Sequence, residues 1–236
     1  MINEQQFDDF DRLIKRLLSD SQTSIEQALS NNPRCSLLLS GGTTPAPFYR
    51  QLAKQSLAWH NIDIGLVDER WVAPTHIASN EKLLRENMLI ARATPARFVA
   101  MKNAAPTAQQ GQAECSQNYQ AMAVPALCIL GMGNDGHTAS LFPAAKGLEA
   151  GLDKHNDQAC VAISAKPSEV TGDYTERMSL TISAIKRSHY IALIICGEKK
   201  WHSYQQAKLL GDVEAMPVRA LLHDPNCCVN VYYAPS

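Results

Sequence analysis

Ala126-Leu127-Cys128-Ile129-Leu130 runs directly into Gly131-Met132-Gly133-Asn134-Asp135-Gly136-His137-Thr138-Ala139-Ser140-Leu141-Phe142-Pro143. The apolar run reads as a buried strand. The glycines that end it let the backbone turn sharply and approach a ligand closely. Asp135 and His137, delivered by the same loop, could supply proton-transfer chemistry. An enzyme acting on a small phosphorylated molecule is the reading this stretch favours. Residues 131–136 also match G-x-G-x-x-G, but a dinucleotide-binding turn expects a helix next and an acidic residue at the following strand end. Here Pro143 would interrupt such a helix and the run 159–163 ends in Ser164, so that reading is rejected.

Working outward, Cys35 to Leu39, Ile62 to Val67, Ala159 to Ile163, Met178 to Ile182, Tyr190 to Ile195 and Cys228 to Tyr233 also read as strands. Between them, helical spacing covers residues 7–29, Pro45 to Lys54, a segment after Ser79, Thr107 to Met122, Glu198 to Leu210 and Val218 to Leu222. Alternation of this kind predicts an α/β fold, a doubly wound, mostly parallel sheet with flanking helices over residues 1–236 as a single domain. Ligands then bind beyond the carboxyl ends of strands, where the polar clusters 40–44, 68–70 and 131–137 lie. The stretch Ser164 to Glu176 reads as a long active-site loop.

Composition narrows the class. The chain has 236 residues, 45% of them hydrophobic, and a formal net charge of -1, so neither nucleic acid nor a membrane surface is an expected partner. An anionic ligand must be met by a few local cations and by backbone N–H groups. The first ten residues lack the basic and apolar regions of a signal peptide, and the longest apolar run is too short to span a bilayer. Seven cysteines without a C-x-x-C pair read as buried reduced thiols, which points to the cytosol. The histidines show no metal-ligand spacing, so no metal or other cofactor is expected.

Each polar cluster admits a bland reading beside the functional one. Ser40-Gly41-Gly42-Thr43-Thr44-Pro45 is a phosphate cradle or an ordinary strand-to-helix turn, and it is not a Walker A loop. Asp68-Glu69-Arg70 faces a pocket or forms a surface ion pair. Arg177 and Lys200, each bordering an apolar strand, are candidate phosphate contacts. His137 suits a base near neutral pH, and Asp135 could orient it. Ser140 completes an Asp/His/Ser trio, although three groups so close in one loop need not converge and the G-x-S-x-G elbow is absent. Water activated by His137 is the simpler proposal.

Taken together, Leu39 through Pro45, Asp68 through Val72 with Ser79-Asn80, and Gly131 through Pro143 resemble the 6-phosphogluconolactonase family, of the sugar-phosphate isomerase/deaminase superfamily with its modified Rossmann-like fold. Weaker matches are Glu176 through Thr181, Gly197 through Lys200 and Pro217-Val218-Arg219. The resemblance implies hydrolysis of 6-phospho-D-glucono-1,5-lactone in the oxidative pentose phosphate pathway. It implies phosphate held by Gly42, Thr43, Thr44, Arg177 and Lys200, a sugar pocket lined by Asp68 and Arg70, and His137 as general base, with Asp135 and Asp68 as its catalytic companions. Gly41, Asn80 and Gly133 complete the expected substrate-binding set, and a monomer or weak homodimer is the expected state. The family often has Gly where this chain has Ala144. Glucosamine-6-phosphate deaminase, the nearest rival, carries a further carboxylate after the histidine, and residues 138–143 have none. A non-catalytic sugar-phosphate sensor would not need the Asp135/His137 pair.

Overall fold

The computed structural model describes residues 1–168 and 171–235; Glu169 and Val170 of the expected active-site loop, and Ser236, lie outside it. Seven strands form one all-parallel sheet: β1 (Ile2–Gln6), β2 (Cys35–Leu39), β3 (Ile62–Leu66), β5 (Arg97–Val99), β6 (Pro125–Gly131), β9 (Ile191–Cys196) and β10 (Val229–Ala234). They lie in the order β1-β10-β9-β6-β2-β3-β5. A second, antiparallel sheet of β4 (Asp68–Arg70), β8 (Glu176–Leu180) and β7 (Cys160–Ser164) sits beside it.

Local chemistry explains most of these elements. Every residue of β2 and β3 is buried, as expected of parallel strands covered on both faces. Helix α1 (Phe10–Asn31) opens on Asp9, whose carboxylate accepts from Arg12 N, and turns Leu13, Ile14, Leu17, Ile25 and Ala28 inward. Pro45 leads into α2 (Ala46–Leu52), Ser79 caps α3 (Asn80–Asn87), and Thr107 caps α4 (Ala108–Gln120). The later helices are α5 (Leu148–Leu152), α6 (Ile182–Lys186), α7 (Glu198–Lys208) and α8 (Arg219–Leu222). The expected strand over 178–182 stops at Leu180, because Thr181 accepts from Ala184 N and starts α6.

Chain direction sets the site. From β2 the chain steps one way, to β3 and β5; strand β6, on the other side of β2, leads away to β9 and β10. The gap between the ends of β2 and β6 is therefore the switch point of the sheet, where loops diverge and leave a crevice. At the opposite end of the sheet, Asp63 is 1% exposed and binds Arg34 at 2.5 Å and Arg97 at 2.9 and 2.6 Å. Burial alone would raise this carboxyl, but Arg97 and Arg34 prevail and hold it below the ordinary carboxylate range. All seven cysteines are free thiols, and five are buried. Among the described residues no helix is long and apolar enough to cross a membrane.

Candidate active site

A cavity of about 380 Å³ opens at the switch point. Its floor is the end of β6 and the glycine loop that follows, Leu130 to Asn134. One wall is the turn after β2, with Ser40, Gly41, Gly42 and Thr44. Asp68, Arg70 and Asn80 form another, and Lys200 on α7 and Arg177 on β8 close it. Three cations facing one carboxylate make this a pocket for an anion. Among the described residues no group of three or more His, Cys, Asp or Glu side chains could hold a metal ion.

The glycine loop presents His137. Its Nδ1 lies 2.6 Å from Asp135 Oδ1, and the same oxygen accepts from His137 N at 3.2 Å. Burial would raise the Asp135 carboxyl, yet the hydrogen bond and charge of His137 outweigh it and hold the pKa below its ordinary value. An ionised partner at Nδ1 leaves Nε2 for chemistry in the cavity that His137 lines. The pair depends on Gly133: a Cβ there would fall 2.2 Å from the imidazole and 2.6 Å from Asp135 Oδ1. Gly136, at φ +78, turns the chain between them. Phe142 stands 4.4 Å from the imidazole by ring centroids, and the Arg177 guanidinium lies 5.6 Å from the centroid of the same Phe142 ring.

Arg177 is 4% exposed and has no carboxylate within 4 Å among the described residues. Its Nε donates to Tyr174 O at 2.5 Å and its Nη2 to Thr171 O at 2.7 Å. Burial pulls its pKa down to about 10. Arg70 is fixed through Nη1, which donates to Ala78 O at 2.8 Å and Asn80 Oδ1 at 3.0 Å, while its buried Nε has no partner among the described residues. Asn80 in turn donates to Asp68 O at 2.8 Å and Asp68 Oδ1 at 3.3 Å.

The family profile described as glucosamine-6-phosphate isomerases/6-phosphogluconolactonase matches residues 8–229. A 6-phosphogluconolactonase of Pseudomonas putida is 35% identical over 223 residues, 94% of this chain and 89% of its own. One of Rhizobium meliloti is 34% identical over 230 residues, 97% of each chain. The crystal structure of a 6-phosphogluconolactonase from Shewanella baltica superposes with a TM-score of 0.93 at 35% identity, covering 99% of this chain and 98% of that one. This chain belongs to the glucosamine-6-phosphate isomerase/6-phosphogluconolactonase family.

Within that family fold, the expected site residues separate into three groups. Gly41, Gly42, Thr44, Asp68, Arg70, Asn80, Gly133, His137, Arg177 and Lys200 share the cavity. Asp135 backs His137 rather than lining the cavity, and Thr43 is an exposed turn residue outside the lining. The Asp/His/Ser trio does not converge: Ser140 is fully buried and its Oγ donates to Asp68 Oδ2 at 2.6 Å, away from His137. The stretch after Ser164 joins β7 to β8; none of its described residues lines the cavity, and the carbonyls of Tyr174 and Thr171 grip Arg177. Lys166 there is exposed. Ser40 and Asn134 line the cavity from within the polar clusters 40–44 and 131–137 without having been singled out, and Phe142 was not expected as a site residue. Phe142 had a signal, since an aromatic two residues after a loop serine has only the site or the core to fill.

Proposed function

We propose that this chain hydrolyses 6-phospho-D-glucono-1,5-lactone to 6-phospho-D-gluconate, the lactone-opening step of the oxidative pentose phosphate pathway. The observation carrying this reading is the His137–Asp135 pair facing a cavity whose other walls are cationic. The 6-phosphogluconolactonases that align with nearly the whole chain support it. The substrate phosphate sits against Lys200, Arg177 and the turn at Gly42 and Thr44, and the sugar hydroxyls meet Asp68, Arg70 and Asn80. His137 Nε2 removes a proton from water as the oxygen attacks the lactone carbonyl. The tetrahedral intermediate collapses with cleavage of the bond to the ring oxygen, which receives the proton back from His137. A lactone is an activated ester, so a positioned base and a bound phosphate suffice. Ser140 plays no nucleophilic part, because its hydroxyl is committed to Asp68.

The test is hydrolysis of freshly generated 6-phosphogluconolactone against a no-enzyme control, since this lactone also opens unaided. His137→Ala is expected to lower kcat by about 10²–10⁴-fold with little change in KM. Wild type no faster than the control would refute the reaction; an unimpaired His137→Ala would refute the base. A cytosolic enzyme acting as a monomer or weak homodimer is part of the same proposal, and sedimentation of the purified protein measures the latter.

A further inference from the structure

Glu69 lies between two residues of the cavity wall and reaches no part of the cavity itself. It is 1% exposed, and alternation along β4 turns it away from Asp68 and Arg70. A carboxylate is rarely buried so completely without a partner cation. Here four donors take that place. Arg70 N donates to Oε1 at 2.8 Å and Asn80 N to the same oxygen at 2.7 Å. Ser79 Oγ donates to Oε2 at 2.9 Å and Glu81 N to it at 2.8 Å. Burial raises the carboxyl pKa, and these four hydrogen bonds oppose the rise. Two of the donors are open amides of the first turn of α3, where the helix dipole also favours a negative charge.

The consequence runs through Asn80. Its backbone is held by Glu69, and its side chain holds Asp68 by Nδ2 and Arg70 by Oδ1. Its Oδ1 also lies where a Cβ on Gly41 would be, 1.9 Å away, so the turn after β2 is built around the same amide. One buried carboxylate thereby connects two cavity walls, the turn after β2 and the wall that β4 and α3 build together. We propose that Glu69 is the positioning residue of the ligand site: by tying the end of β4 to the first turn of α3 it fixes Asn80, and through Asn80 the Asp68 and Arg70 side chains that meet the sugar. This deepens the lactonase reading and rests on it. The His137–Asp135 pair stands on a different loop, so the loss of Glu69 should show in binding much more than in the chemical step.

The experiment is a double-mutant cycle of Glu69→Gln and Asn80→Ala, reading KM and kcat for 6-phosphogluconolactone and the calorimetric Kd for 6-phosphogluconate. Glu69→Gln preserves shape but aims an amide NH2, whichever way it turns, at a backbone N–H that can only donate. KM and Kd are expected to rise about tenfold while kcat stays within about threefold. In the Asn80→Ala background the same change should cost less than about threefold, because its route to the ligand is gone. A merely structural Glu69 would lower the active fraction, and so kcat, at unchanged KM; that outcome overturns the proposal, as does an undiminished KM penalty in the Asn80→Ala background. Should Glu69→Gln not fold by circular dichroism, Ser79→Ala removes one donor, together with the α3 cap, and keeps the charge. A KM rise of about twofold is then expected, and an unchanged KM overturns the proposal. An active wild type with unaltered Glu69→Gln binding refutes this inference alone, whereas an inactive wild type refutes the lactonase reading with it.

Discussion

An imidazole has two nitrogens, and the neighbour of one decides the use of the other. His137 Nδ1 faces Asp135 at 2.6 Å, so the two residues form one unit with a single working atom. Units of this kind respond non-additively to mutation. Asp135→Asn is expected to lower kcat by at least about tenfold, and His137→Ala with Asp135→Asn no further than His137→Ala alone. Additive losses in single-turnover kinetics would mean that Asp135 acts separately. This much of the site was legible in the chain, because a carboxylate two residues before a histidine in a glycine turn has few other reasons to be there. The fate of Ser140 was not legible. Its partner Asp68 lies 72 positions away, and only the fold brings them together.

Elements explain where sequence reading succeeded and where it failed. Strands β2, β3, β6, β9 and β10 are mostly apolar and almost wholly buried, so they stand out in the chain as short apolar runs. β1, Ile2-Asn3-Glu4-Gln5-Gln6, was missed because it is an edge strand with polar side chains and pairs only with β10. β4 and β5 have three residues each, too short to carry a pattern. The glycine loop invites a paired prediction of opposite outcomes. Gly133→Ala drives a methyl group into the His137–Asp135 pair and is expected to cost about 10²-fold in kcat. Ala144 has φ +56, a region glycine adopts freely. In Ala144→Gly, relief of about 1 kcal/mol of strain is offset by about 0.4–1 kcal/mol of added freedom in the unfolded chain. Activity should persist and Tm should move by less than about 4 °C. A reversed pattern in the two variants would show that the loop is held by other contacts.

At the scale of the molecule, chemistry and stability sit at opposite ends of one sheet. The crevice lies beyond the carboxyl ends of β2 and β6, while Asp63 clamps Arg34 and Arg97 at the other end. Because the folded Asp63 carboxyl is held below its unfolded value, its contribution is complete above about pH 4 and is lost as pH falls through the folded pKa. Asp63→Asn is expected to destabilise by about 2 kcal/mol at pH 7, with a smaller difference from wild type in urea melts near pH 3 and near-normal kcat throughout. An equal deficit at both pH values would assign the effect to packing. Strand order carries a last consequence, for synthesis on the ribosome. β1 is made before the other nine described strands, yet among the described residues it pairs with β10 alone, with Ile2 opposite Val229. β1 must therefore wait for its partner until residues 229–234 emerge, and a strand of mostly polar side chains suits that delay.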